Sequence, residues 1–342
     1  MIDLLAIFFL LTPAAAPSSL FQSDSLTTAH VPPGTHPVVL RFAGDCLLAA
    51  HFELPAGKTA QDAFEGFDLL RSADVAAVNL ECPITVRGLP AEKPFTFRMH
   101  PDLTPALVSV GVKAVNLANN HISDFGKVGL CDTFSYLDSA GIRYFGAGRN
   151  AREAHAPALF EVDGRSVALL GYYGGGEARV AGAKSPGVAQ RTIEAIRGDI
   201  LAVRQMSPKA YVVVNLHWGT EKAESPDPDQ VAFAHEVVEA GADLIIGHHP
   251  HVLQGIERYR SGVIVYSLGN FIFGGNGRDT YDTGVFETRL NGGSTEYRLI
   301  PVHIGEWMPR ELGGPDAENV LRHVRELSET FPESIFETKE NK

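Results

Sequence analysis

The sequence predicts an α/β fold, on three observations. From about residue 37, short runs rich in β-branched residues alternate with segments of helical periodicity. Several of the apolar runs end abruptly in an acid, an amide or an imidazole, which places polar chemistry at strand ends. The chain has 342 residues, 44% hydrophobic and 20% charged, an ordinary globular composition that excludes a disordered or collagen-like chain. That length suits one large domain or two modest ones.

Taken in order, the first 16 residues read as an export signal. Leu4 to Leu11 is a short apolar run, and Ala14-Ala15-Ala16 offers a small-residue cleavage site. The run is short for a membrane span, and the Asp3 before it, with no Lys or Arg, argues against export. The expectation is an exported, periplasmic or cell-surface protein, with a cytoplasmic one as the alternative. Residues 17–36, rich in Ser, Thr and Pro, read as a linker. Strands are expected at 38–43, 75–80, 114–117, 167–172, 210–216, 244–246, 263–267, 285–290 and 297–304. Helices are expected at 59–70, 101–110, 126–140, 192–204, 228–240 and 316–329. No repeat or composition break forces a second domain, so one domain over 37–310 is expected. An acidic helix and tail would follow over 311–342, frayed after Phe331. Three cysteines, Cys46, Cys82 and Cys131, make no disulfide framework.

The formal charge is −12. A dedicated nucleic-acid binder usually carries a basic surplus, so nucleic acid is not an expected partner. The acids are concentrated. Residues 221–243 hold seven acids against one base, and residues 311–342 hold eight against four. The rest is nearly balanced, so any argument about partners is local.

The chemistry gathers at strand ends. The first strand is followed by Asp45, the second by Glu81, the third by Asn120-His121, the 210–216 run by His217, and the 244–246 run by His248-His249-Pro250-His251. In α/β sheets, ligand sites form outside the carboxyl ends of strands. Carboxylates, an amide and imidazoles converging there suit divalent ions such as Mn, Zn or Fe, and a pair of such ions clamps an oxyanion and activates water. Each piece alone has a plainer reading. Gly44-Asp45 is a common turn, and Asn120 suits a helix cap. Cys46 and Cys82 read as small buried residues rather than ligands. Three imidazoles within four residues are harder to dismiss.

Together these residues resemble a known family. The series Gly44-Asp45, Asn79-Leu80-Glu81, Asn119-Asn120-His121 with Asp124 and Gly126, His217-Trp218-Gly219 with Glu221, His249-Pro250-His251 with Gln254, and Ser267-Leu268-Gly269-Asn270-Phe271 is similar to the CapA family. These are capsule-biosynthesis proteins linked to poly-γ-glutamate, within the calcineurin-like metallophosphoesterase superfamily. Lys93 to Arg98 resembles the family's loop after the glutamate. The resemblance runs from about residue 38 to 305. It implies a metallophosphatase-like four-layer α/β/β/α sandwich with a dinuclear metal centre. It also implies Asp45, Glu81, Asn120, His217, His249 and His251 as ligands of two divalent metals, with Glu81 bridging and His121 assisting the leaving atom. The superfamily's Asp-x-His is absent, because Leu47 stands at its third position. His51 is a candidate replacement or an ordinary loop residue, and His248 an extra ligand or a neighbour of the true pair.

Other residues around this set carry open readings. Glu221 orients an imidazole or is a solvated acid. Trp218 walls the pocket or fills the core, and Asn270 hydrogen-bonds near the metals or serves a turn. The loops 85–100 and 172–191 carry more bases than acids, which makes Arg98 and Arg179 candidates for receiving anionic groups. Three functions stand at this point. The first is a CapA-type hydrolase-like protein acting on an anionic polymer or peptide such as poly-γ-glutamate at the cell surface. The second is a phosphoesterase. The third is a non-catalytic, polymer-binding subunit of a capsule synthesis or export complex.

Overall fold

A computed structural model describes residues 36–49, 52–273 and 280–336. The expected leader and linker, and the candidate ligand His51, lie outside the described residues. Among the described residues, sixteen strands follow in chain order: β1 (Val38–Leu47), β2 (Val75–Leu80), β3 (Ala114–Asn116), β4 (Arg143–Phe145), β5 (Ala147–Gly148), β6 (Ala158–Val162), β7 (Arg165–Tyr173), β8 (Gly187–Val188), β9 (Tyr211–His217), β10 (Leu244–His248), β11 (Ile256–Tyr259), β12 (Gly262–Val265), β13 (Asn270–Phe273), β14 (Thr280–Leu290), β15 (Thr295–Gly305) and β16 (Met308–Glu311). The helices are α1 (Thr104–Val110), α2 (Gly126–Ala140), α3 (Ala151–Ala154), α4 (Ile193–Met206), α5 (Pro228–Glu239) and α6 (Gly314–Ser328). None of them is long and apolar enough to cross a membrane.

Two sheets form the centre. The first runs β16-β15-β14-β1-β2-β3-β4, with β13 pairing the far end of β1. The second runs β11-β12-β10-β9-β7-β6. Strands such as β2, β9 and β10 are near-continuous apolar runs because both of their faces are covered. Between the sheets lie Leu40, Phe42, Leu169, Val213, Ile246 and Phe286. Outside the first sheet, Leu107 of α1 and Phe134 and Leu137 of α2 join Val78 and Val115. Outside the second, Ile196, Ile200 and Val203 of α4 and Val237 of α5 cover Val212, Val214 and Ile245. The layers are therefore α/β/β/α. α6 presses Val320 and Val324 into the core between the sheets.

Local chemistry explains the helix ends. Asp227 and Gln230 form a reciprocal capping box at the start of α5, with Pro228 in its first turn. Thr192 caps α4 by accepting from the Ala195 amide. α2 stops at Gly141, whose φ of 69° suits a residue without a side chain.

Two expectations are corrected. Residues 59–70 form successive turns, not a helix. Their amides bond three residues back, from Asp62 to Thr59, Glu65 to Asp62 and Phe67 to Phe64, and Gly66 at φ 91° breaks the run. Phe64 and Phe67 still pack into the core, which is why the segment carries apolar residues. The segment from Phe331 to Phe336 is not frayed. Phe331 stacks on Tyr266 at 4.9 Å, and the Arg258 amide donates to the Glu333 carbonyl.

Candidate metal centre

The site begins with the way β1 ends. Its pairing with β2 shifts register between Phe42 and Asp45, and its pairing with β13 shifts between Asp45 and Cys46. Such irregularities re-aim side chains. Gly44 permits the close approach, since a Cβ there would lie 1.9 Å from the Gly269 carbonyl oxygen. The Asp45 amide donates to that same oxygen at 2.9 Å. Asp45 is fully buried, and Glu81, just past β2, is too.

β9 delivers His217, and β10 runs on into His249 and His251. Both of these have left-handed backbones, φ 99° and 59°, conformations that cost non-glycine residues free energy and concentrate at functional sites. The turn brings His251 Nδ1 within 3.1 Å of Asp45 Oδ2 and Nε2 within 3.8 Å of Glu81 Oε1. His217 Nε2 lies 3.6 Å from Glu81 Oε1 and 2.9 Å from Asn120 Oδ1. His248 Nδ1 lies 3.4 Å from Asp45 Oδ1. Among the described residues, three groups have ligand atoms mutually within 4.8 Å: Glu81–His217–His249, Asp45–Glu81–His251 and Glu221–His249–His251. Glu81 belongs to the first two.

The donor set fits divalent cations. Glu81 Oε1 and His249 Nδ1 are buried without hydrogen-bond partners, which a cation would remedy. Burial and the Asp45 charge push the Glu81 carboxyl well above its ordinary pKa. Burial opposes ionisation of Asp45, but the imidazoles of His248 and His251 outweigh it and hold Asp45 well below the usual carboxylate range. Burial and the neighbouring imidazoles push His217 and His249 below the ordinary imidazole value, leaving them neutral as ligands must be.

Beside the ligands stands a second arrangement. His121 Nδ1 lies 2.8 Å from Asp124 Oδ2, and both residues are buried. The carboxylate orients the ring and leaves Nε2 as the nitrogen free to act.

The sequence reading named two further residues within the resemblance but gave them no role at the centre. Asn79 donates Nδ2–H to Asp45 Oδ1 at 2.9 Å and to Glu81 Oε2 at 3.3 Å, while its own Oδ1 accepts from Asn116 and Asn119. The strand-end asparagines in VNL and VNLANN were the available signal. Lys93, read as part of the family's loop and as loop charge, reaches the Asn120 carbonyl at 2.9 Å and pairs with Asp124 Oδ1 at 2.6 Å.

The remaining candidates fall around this centre. Asn270 Oδ1 sits 2.8 Å from His251 Nδ1. A cavity of about 300 Å³ opens beside these two, bordered by Glu224, Asp282, Asn319 and His323. Glu221 is exposed at the edge. Arg98 is exposed with its guanidinium 4.7 Å over the Phe125 ring, and Arg179 is exposed with its amide on Ser123 Oγ. Trp218 corrects the expectation of a pocket wall. It is 3% exposed in the core of the second sheet, stacked on Tyr266 and donating its Nε1–H to the Tyr266 carbonyl at 3.1 Å. Cys46 and Cys82 are buried thiols, Cys46 pushed up to about 12 by burial and by Asp45.

Two apposed sheets flanked by helices, with buried carboxylates and imidazoles converging at strand ends, define an α/β/β/α protein with a candidate metal site. A family profile described as "Bacterial capsule synthesis protein PGA_cap" matches residues 39–275, and the chain belongs to that family. It is 30% identical to "Capsule biosynthesis protein CapA" of Bacillus anthracis over 347 aligned residues, covering 97% of this chain and 80% of that one. It is also 30% identical to "PGA biosynthesis protein CapA" of Bacillus subtilis, covering 87% and 79%. Identity to "Probable polyglutamine synthesis accessory protein Rv0574c" of Mycobacterium tuberculosis is 32%, covering 76% and 74%. Among solved structures, the NAD nucleotidase of Haemophilus influenzae superposes with a TM-score of 0.46 at 11% identity, covering 87% of this chain and 57% of that one.

Proposed function

We propose that this protein is a metal-dependent hydrolase acting at the cell envelope on a capsule polymer of the poly-γ-glutamate type. The observation that carries the reading is Glu81, shared by two ligand groups and flanked by the His121–Asp124 pair. In this reading Asp45, Glu81 and His251 hold one divalent cation, and Glu81, Asn120, His217 and His249 hold a second. Such cations supply Lewis acidity toward the oxygen of the bond attacked. The chain's own residues do the rest. Asp124 fixes the His121 ring so that Nε2 passes a proton to the departing nitrogen or oxygen. Asn79 holds the two carboxylates in register. Arg98 and Arg179 stand on the rim to receive carboxylates of the polymer. Relatives of this chain are named for capsule and PGA biosynthesis, which supports the polymer as substrate.

The test is metal analysis of the purified protein, then parallel assays on poly-γ-glutamate and a generic phosphoester. Polymer cleavage is expected, lost in His121→Ala with metal content retained and lost in Asp45→Ala together with the metal. Removing Arg98 and Arg179 together should raise KM for the polymer. Turnover of the phosphoester alone would reassign the bond. Tight polymer binding with no turnover of either substrate would refute the enzyme reading.

A further inference from the structure

The loop between β2 and α1 carries a feature the metal centre does not use. Leu89 is 85% exposed, Phe95 71% and Val86 51%, three large apolar side chains within ten residues. Scattered single apolar residues on a surface need no explanation, but three at one loop tip do. Nor is the tip a loose excursion. Pro90 and Pro94 stiffen it. The Ala91 amide donates to the Asp124 carbonyl at 2.7 Å, Lys93 pins its middle to Asn120 and Asp124, and the Phe97 ring lies 4.7 Å from His121. The structure thus holds these apolar side chains in water beside the His121 face of the site.

Their surroundings are basic in a chain of net charge −12. Arg98 on the same loop, Lys127 on the first turn of α2, and Arg179 and Lys184 on the neighbouring 174–188 loop are all exposed. The 174–188 loop is tied to this face through the Arg179 amide on Ser123. Exposed acids on these segments are Glu92 and Glu177. Exposed apolar side chains with exposed cations on neighbouring segments are the pattern of a surface that enters the headgroup boundary of an anionic bilayer, here with Lys127 and Lys184, which the polymer reading does not use, on the phosphates.

We infer that the Val86–Phe95 loop docks this protein onto anionic membrane, with the metal centre's His121 face against the lipid surface.

The test is partitioning of the full chain onto protein-free phospholipid vesicles, anionic or purely zwitterionic, read by co-sedimentation. Wild type should favour anionic vesicles. Leu89→Ser with Phe95→Ser should lower the partition coefficient by roughly tenfold or more. Leu201→Ser with Met206→Ser, exposed apolar positions on α4, should leave it unchanged. Lys127→Gln with Lys184→Gln should narrow the gap between the two lipid types. In Phe95→Trp, added anionic vesicles should shift the indole emission to the blue. The N-terminal apolar run is common to every variant, so equal binding by wild type and the Leu89/Phe95 variant would overturn the inference. So would failure to bind protein-free vesicles while binding native membranes, which would make the loop's partner a protein.

Discussion

At the scale of single residues, the electrostatics of the centre set how it takes up metal. Burial and the Asp45 charge push the Glu81 carboxyl well above its ordinary value, so it takes up a proton more readily than Asp45 does. Burial works against the charged form of His251, but Glu81 and Asp45 outweigh it and raise that imidazole to about 10. His217 and His249 are already neutral. A cation needs Glu81 ionised and His251 neutral, so binding expels protons. The sign follows. A protonated His251 stabilises the metal-free fold, fully below the ordinary imidazole value, and that stability is lost as pH rises through about 10. Metal affinity runs the other way, rising with pH across the same window. Calorimetry at pH 7 in buffers of different ionisation enthalpy should show about one to two protons released as the site fills. His251→Gln should abolish about one of them and weaken binding.

At the scale of elements, the expected strands were legible because buried strands in an α/β fold are unbroken apolar runs. The strand-end ligands were legible because the chemistry stands right where those runs stop. Short edge strands such as β4, β6 and β16 were not, since half-exposed segments of a few residues carry little periodicity. Residues 59–70 misled because their apolar spacing serves packing, while Gly57 and Gly66 adopt positive φ. Asn79 was legible only as part of the family resemblance, because an amide within an apolar strand looks like an interruption until its partners across the sheet are seen. The irregular end of β1 gives a prediction at this scale. In Gly44→Ala the new methyl meets a backbone carbonyl that cannot move aside. The variant should lose about 3 kcal/mol, the upper range for overpacking, seen as a lower urea midpoint and reduced metal content. Gly198→Ala, inside α4 with nothing near its added Cβ, should gain about 0.5–1 kcal/mol and leave metal content alone.

At the scale of the whole molecule, the −12 charge resolves into a site with two unlike borders. Glu221, Glu224 and Asp282 stand on one side, near His251 and the cavity. Arg98, Arg179 and Lys127 stand on the other, near His121. Part of the acidic composition is therefore at the mouth itself. Three of the C-terminal acids, Asp316, Glu318 and Glu326, belong to α6, whose charged face is solvated while Val320 and Val324 close the core. This bears on where the folding unit ends. The family profile stops at residue 275, yet β14, beyond it, pairs with β1 from Val38↔Leu290 to Phe42↔Phe286 and carries β15 and β16 outward. A chain ended at residue 275 would leave one side of β1 unpaired through its first half and the inter-sheet core open to water. Burying each valine of α6 contributes about 1.5–3 kcal/mol, a large share of a typical domain's 5–15 kcal/mol. Ending the chain at residue 312 should therefore destabilise it by several kcal/mol, and ending it at 275 should abolish the cooperative unfolding transition. Thermal melts followed by circular dichroism distinguish the two. A cooperative transition in the 275-residue chain would show that β14 and α6 decorate the fold instead of completing it.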